Sequence, residues 1–167
     1  DPADAVIGNV QMGMSGLTFE LSYRGRTDTI HTNLVGKFNA ENITAAALAA
    51  LELGVDIDTV KSSVKELFIP GRLNFVEANG RHVIIDYAHN HMSYSSLFRT
   101  IRSIYPTDRL TALVGAMGDK AFGRRREAGQ MTNVYADRVV ITEQDSGSEH
   151  PAKIGSEIAR YVHKLCK

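Results

Sequence analysis

From Val83 onward the chain repeats one pattern three times: a short apolar run, a polar loop, then residues at helical spacing. Val83-Ile84-Ile85 leads into Asp86-Tyr87-Ala88-His89-Asn90 and a helix carrying Leu97, Ile101 and Ile104. Leu110 to Val114 leads into Gly115-Ala116-Met117-Gly118-Asp119-Lys120 and a helix near Glu127 to Tyr135. Arg138 to Thr142 leads into Glu143 to His150 and a helix with Ile154, Ile158, Val162 and Leu165. Strands separated by helical crossovers predict an α/β, Rossmann-like domain: a mostly parallel sheet with helices on both faces. The polar loops all follow the carboxyl ends of strands, where open α/β sheets bind ligands. Asp86, His89, Asp119, Lys120, Gln144 and Asp145 are therefore expected along one rim.

The first third has a different period. Leu17, Phe19, Leu21 and Tyr23 alternate with Thr18, Glu20 and Ser22, the mark of a half-buried strand. Arg24-Gly25-Arg26 can turn it into a second strand near Thr29 to Leu34, giving a hairpin. Ile43, Ala46, Ala47, Ala50 and Leu51 then fall at helical spacing, with Gly54 as the capping glycine. A second helix after Asp56, carried by Val60, Val64 and Leu67, must stop before Ile69-Pro70-Gly71, since the residue before proline disfavours helix. That Pro-Gly is the expected domain boundary, dividing residues 1–68 from 69–167.

Composition removes several functional classes. Lys plus Arg and Asp plus Glu both total 19, so nothing in the net charge favours nucleic acid or an anionic membrane as partner. The single cysteine, Cys166, precludes an internal disulfide and a four-cysteine zinc site. No apolar run reaches the length of a membrane span and no leader pattern opens the chain, so a cytoplasmic protein is expected. There is no G-x-x-x-x-G-K-[ST]: Gly115 to Lys120 is too short and lacks the following hydroxyl residue. If ATP is used, its phosphate cradle lies on other sequence.

Each polar cluster has two readings. Asn39 and Asn42, three apart at the start of a helix, either read a nucleobase or ribose edge together or serve as a cap and a surface amide. Arg72 can clamp a phosphate or carboxylate, or form an interdomain ion pair. Asp86, ending a strand, can accept from ribose hydroxyls or help hold a metal, or it stabilises its loop. His89 and His91, with His82 and His150 elsewhere, lack an identifiable third ligand, so a non-metal role is expected. Arg124-Arg125-Arg126 is a solvated face or a phosphate-receiving patch.

Taken in order, Gly36-Lys37-Phe38-Asn39-Ala40-Glu41-Asn42 with its Ala-rich helix, Pro70-Gly71-Arg72, Asp86-Tyr87-Ala88-His89-Asn90 and Gly118-Asp119-Lys120 with Arg124-Arg125 resemble the Mur ligases. Among these, the likeness is to the type that adds the third amino acid to the muramoyl peptide. It runs from about Leu17 to the last helix. The resemblance implies an ATP- and Mg2+-dependent amide ligase that phosphorylates the terminal carboxylate of UDP-N-acetylmuramoyl-L-alanyl-D-glutamate. An amino acid then attacks the acyl phosphate. It further implies that Asn39, Asn42, Arg72, Asp86 and His89 serve ATP, and that Gln144, Asp145, Ser146 and Gly147 select the amino acid. Diaminopimelate-adding relatives carry Asp-Asn-Pro-Arg at those four positions. Glycine in place of that arginine, with Asp145 and Glu149 nearby, suits the cationic end of L-lysine. On this view residues 1–68 close a central ATPase domain and 69–167 form the C-terminal domain, truncated at its end. The UDP-binding domain, P-loop and metal residues would lie elsewhere in the parent, and the fragment alone is expected to be inactive. Folylpolyglutamate or cyanophycin synthetase types are the alternatives within the superfamily. A non-catalytic nucleotide-binding module is the alternative outside it.

Overall fold

The alternation from Leu17 to Tyr23 becomes the middle strand of a meander. In the computed structural model, which describes residues 4–163, β1 (Ala5–Gly13), β2 (Gly16–Tyr23) and β3 (Arg26–Thr32) pair antiparallel in that order. Leu17, Phe19 and Leu21 are buried, and Ile30 faces Phe19 from β3. Arg24 (φ 49°) and Gly25 (φ 75°) are both left-handed, as a two-residue turn matched to strand twist requires. The second strand ends at Thr32, earlier than expected. Beyond it the Asn33 N–H donates to the Lys65 carbonyl instead of to a strand. The sequence reading missed β1, because a bulge between Gly8 and Gln11, with Asn9 at φ 49°, breaks its alternation.

Two helices close this layer. α1 (Phe38–Glu52) and α2 (Ile57–Lys65) bring Ala40, Ile43, Ala47 and Val60 onto Phe19, Leu21, Ile30 and Leu34. Asp56 starts α2 by accepting the Thr59 N–H (2.8 Å) and the Thr59 hydroxyl (2.7 Å), a cap worth about 1 kcal/mol. Lys61 pairs with Asp28 and so joins α2 to β3.

Val83-Ile84-Ile85 departs from expectation. It belongs to β5 (Arg81–Ile85), which pairs antiparallel with β4 (Asn74–Ala78) in a two-stranded sheet. The cause is the Asn79-Gly80 turn, left-handed at both residues (φ 52° and 67°), which makes the local return cheaper than a crossover. Parallel pairing joins β6 (Thr111–Val114) to β7 (Arg138–Ile141) through α4 (Gly123–Tyr135), which begins four residues earlier than Glu127.

The residues fall into two compact units, one reaching to Tyr87 and one beginning at Ala88. The second unit contains α3 (His91–Ile104), β6, α4, β7 and α5 (Pro151–Ala159). Asn90 starts α3 with a reciprocal box, accepting the Ser93 N–H while the Ser93 hydroxyl takes the Asn90 N–H. Tyr94, Phe98 and Ile101 are buried, and Phe98 stacks on Tyr135 of α4 at 5.5 Å. Ala112, Val114 and Val139 form the covered face of the strand pair. The register partners Leu113 and Val140 face the other way and are exposed. Helices α4 and α5 meet across Gly129, whose missing side chain leaves room for the Ile158 carbonyl. α5 ends at Ala159. Val162 is buried beyond it, while Leu165 and Cys166 lie outside the described residues.

Candidate functional site

In the first unit, Asn39 is buried on the opening turn of α1. Its amide donates to the Val35 carbonyl at 2.7 Å, and its oxygen accepts from the Asn42 amide at 3.1 Å. The helical spacing therefore does join the two side chains, with Asn39 as the anchored member and Asn42 exposed. Neither caps the helix; Lys37 holds that position without a side-chain bond. Arg72 is exposed, with its guanidinium 4.7 Å from the centre of the Tyr87 ring. Stacking on an aromatic ring holds a planar cation in place while leaving its N–H edge available to an anion. Asp86 accepts the Leu73 N–H at 2.9 Å, pinning the left-handed Leu73 (φ 45°) just after Arg72. Arg72, Asp86 and Tyr87 thus form one local arrangement.

In the second unit, His89 precedes the α3 cap, and its N–H donates to the Ser93 hydroxyl at 3.0 Å. The loops after β6 and β7 are tied together. The Gly118 N–H donates to the Asp145 carbonyl at 2.7 Å. Asp119 accepts both the N–H and the hydroxyl of Ser148, each at 2.6 Å. Glu149 accepts the Asp119 N–H at 2.8 Å. The Ser146 hydroxyl donates to Glu143, and the Ser146 carbonyl accepts from Glu149. Gly147 is left-handed (φ 56°), and a Cβ there would collide with the Asp119 carboxylate. Gln144 and Asp145 expose their side chains. The loops after β6 and β7, expected on one rim through Asp119, Lys120, Gln144 and Asp145, do meet, through Gly118 to Asp145 and through Asp119 to Ser148 and Glu149. Asp86, by contrast, follows a strand of an antiparallel hairpin and not of the parallel pair.

The basic run is not a uniform surface. Arg125 is only 2% exposed. Its guanidinium grips Glu149 at 2.5 and 3.1 Å and Glu157 at 2.7 Å, reaches the Met117 carbonyl at 3.3 Å, and lies over Phe122. Arg124 is half-buried and Arg126 exposed. Helical spacing explains the burial: Arg125, Ala128, Gly129 and Thr132 share the buried face of α4. Bonds from Arg125, then the Asp119 N–H, then Lys153 hold the Glu149 carboxyl at about 2. The two Ser148 bonds hold Asp119 below the usual carboxylate range. Both acids are ionised near neutral pH, and both have internal donors.

The histidines are spread out. The His91 N–H donates to Glu127, His150 caps α5 by accepting the Ala152 N–H, and His82 is exposed on β5. Among the described residues no group of three His, Cys, Asp or Glu is placed to hold a metal ion. No helix among them is long and apolar enough to cross a membrane.

A family model described as Mur ligase, glutamate ligase domain, matches residues 71–166. The chain is 37% identical over 141 residues to the UDP-N-acetylmuramoyl-L-alanyl-D-glutamate–L-lysine ligase of Enterococcus faecalis, covering 84% of this chain and 28% of that protein. A solved UDP-N-acetylmuramoyl-L-alanyl-D-glutamate–2,6-diaminopimelate ligase aligns with 99% of the chain and 35% of its own, at 26% identity and a TM-score of 0.56. Folylpolyglutamate synthase of Mycobacterium tuberculosis superposes better, with a TM-score of 0.77, covering 98% of this chain and 38% of that one. At 22% identity that likeness speaks to the fold alone. The chain thus spans between a quarter and two fifths of these relatives.

Proposed function

The chain belongs to the Mur ligase family, and from that premise we propose that it is part of an ATP-dependent amide ligase that adds L-lysine as the third residue of UDP-N-acetylmuramoyl-L-alanyl-D-glutamate. Residues 1–68 would close the central ATPase domain and 69–167 would belong to the C-terminal domain, with the protein working in the cytoplasm. The nucleotide falls to Asn39, Asn42, Arg72, Asp86 and His89. Asn39, locked by Val35, orients the Asn42 amide toward a base or ribose edge. Arg72, stacked on Tyr87, offers its N–H edge to phosphate or ribose oxygens. Mg2+ is ordinarily held by one or two carboxylates together with water and the substrate phosphates, and most of its ligands would lie with the phosphate cradle on other parts of the parent protein. What this chain contributes is orientation: it holds the nucleotide and the incoming amine so that attack on an acyl phosphate becomes effectively unimolecular.

The observation that carries the lysine reading is the loop after β7. Gly147 presents no cation to a distal carboxylate, and Asp145 presents an exposed carboxylate to an ammonium group. Glu149 contributes differently from the sequence expectation. Its oxygens are taken by Arg125, the Asp119 N–H and Lys153, so it shapes the loop while Asp145 supplies the charge. Gln144 and Ser146 complete the selecting face.

The test is ADP release by the full-length protein with the muramoyl dipeptide and one amino acid at a time. Lysine-dependent turnover is expected. Asp145→Ala should raise the lysine KM about tenfold, the loss of one charge-assisted contact, with the ATP KM unchanged. Turnover with diaminopimelate instead would overturn the lysine reading. No turnover with any amino acid would favour a folylpolyglutamate-type acceptor or a non-catalytic module.

A further inference from the structure

The loops after β6 and β7 are bound into one body. We propose that Asp119, Arg125 and Glu149 are positioning residues that fix the amino-acid-selecting face of residues 144–148. The inference rests on the selecting role proposed for that loop. Four attachments make the clasp. The Gly118 N–H holds the Asp145 carbonyl (2.7 Å), which anchors the backbone of the residue whose side chain is exposed. The Asp119 carboxylate holds Ser148 twice, through its N–H and its hydroxyl. Glu149 returns the bond by accepting the Asp119 N–H. Arg125, buried on α4, grips both oxygens of Glu149 and ties them to Glu157 on α5.

The clasp has no slack. A Cβ on Gly118 would run into the Ser146 carbonyl, and one on Gly147 into the Asp119 carboxylate. Paired charges spend the acids internally: Arg125 and Lys153 face Glu149, and Arg125 also faces Glu157. Glu149 already receives the Lys153 ammonium at 2.9 Å as well as Arg125, and both oxygens of Asp119 accept from Ser148. A carboxylate on a fixed backbone discriminates by place as well as by sign, and the clasp gives Asp145 that fixed place.

The experiment uses the full-length protein with Asp119→Asn, Glu149→Gln and the milder Ser148→Ala, which deletes one hydroxyl bond. Amide hydrogen exchange over residues 117–119 and 144–149 is read beside the KM for lysine and for ATP. Exchange in both segments should rise about tenfold or more, and the lysine KM about tenfold, with the ATP KM within about twofold of wild type. Wild-type exchange in all three variants would overturn the clasp. Loosened loops with an unchanged lysine KM would overturn its positioning role. A wild-type protein without lysine-dependent ADP release would overturn the functional reading and the selecting role together, and the exchange data distinguish that failure from a missing clasp.

Discussion

Two helix-interior glycines of the second unit should respond in opposite directions to the same substitution. Alanine is favoured over glycine in a helix interior by about 1 kcal/mol, whatever its neighbours. At Gly155 of α5, the nearest atom to a new Cβ is Ile141 Cγ2 at 3.7 Å, an ordinary contact. Gly155→Ala should therefore stabilise by about 1 kcal/mol. At Gly129 of α4, the Cβ would stand 2.5 Å from the Ile158 carbonyl oxygen and 2.8 Å from Tyr161 Cβ. Carbon and carbonyl oxygen rest at about 3.3 Å, so the helices must part by roughly 0.8 Å. The obstacle at Ile158 is backbone, which cannot rotate away. Such overpacking costs about 1–3 kcal/mol, and subtracting the propensity gain leaves a net loss of up to about 2 kcal/mol. Urea unfolding measures both variants directly, as midpoint shifts at constant slope. If Gly129→Ala proved as stable as Gly155→Ala, the close α4–α5 crossing would be wrong.

Three further outcomes follow from the same unit. Glu149 has its carboxyl lowered to about 2, against about 4.3 in an unfolded chain, so its stabilisation is complete above the unfolded value and is lost as pH falls toward 2. Glu149→Gln should thus flatten the acid limb between about pH 4.5 and 2, followed by circular dichroism; superimposable limbs would refute it. Arg125→Met should cost about 2–3 kcal/mol, below the usual figure for a broken buried pair because both carboxylates keep some solvent. Adding Glu149→Gln should recover part of that loss, and strict additivity in the double-mutant cycle would sink the pairing. Asn90→Ala should cost about 1 kcal/mol and speed amide exchange in the first turn of α3 while sparing α5, as native-state exchange can show.

Periodicity made much of this fold legible before any coordinates. The Leu17–Tyr23 alternation, the α1 and α2 faces and the helices after each later loop all follow from spacing, because each buries one stripe. β1 was hidden by its bulge, whose extra residue resets the alternation. The β4–β5 hairpin has a strong local signal in Asn79-Gly80 between Phe75-Val76 and Val83-Ile84-Ile85, but the same apolar run followed by a polar loop and a helix also fits the first strand of a crossover. That Asp119 and Asp145 lie on loops that meet was legible too, since the ends of neighbouring parallel strands fix where loops emerge, but Asp86 follows a hairpin strand and was misplaced by the same rule. It could not divide binding groups from scaffold. Glu149 and Asp145 look alike as letters, and only the burial of Arg125 shows which one is already engaged.

The pairing pattern also orders the chain in time. β2 meets β3 across Arg24-Gly25, and β4 meets β5 across Asn79-Gly80, so each closes a loop as short as a chain allows. β6 and β7 can meet only after the whole of α4 has been laid between them. Loop-closure entropy must be met before distant contacts return anything, and hairpins form in microseconds, whereas parallel pairs wait for their crossover. The second unit is therefore expected to fold more slowly than the hairpins, with the strand ends that carry the 115–119 and 144–149 loops among the last parts of the backbone to be fixed.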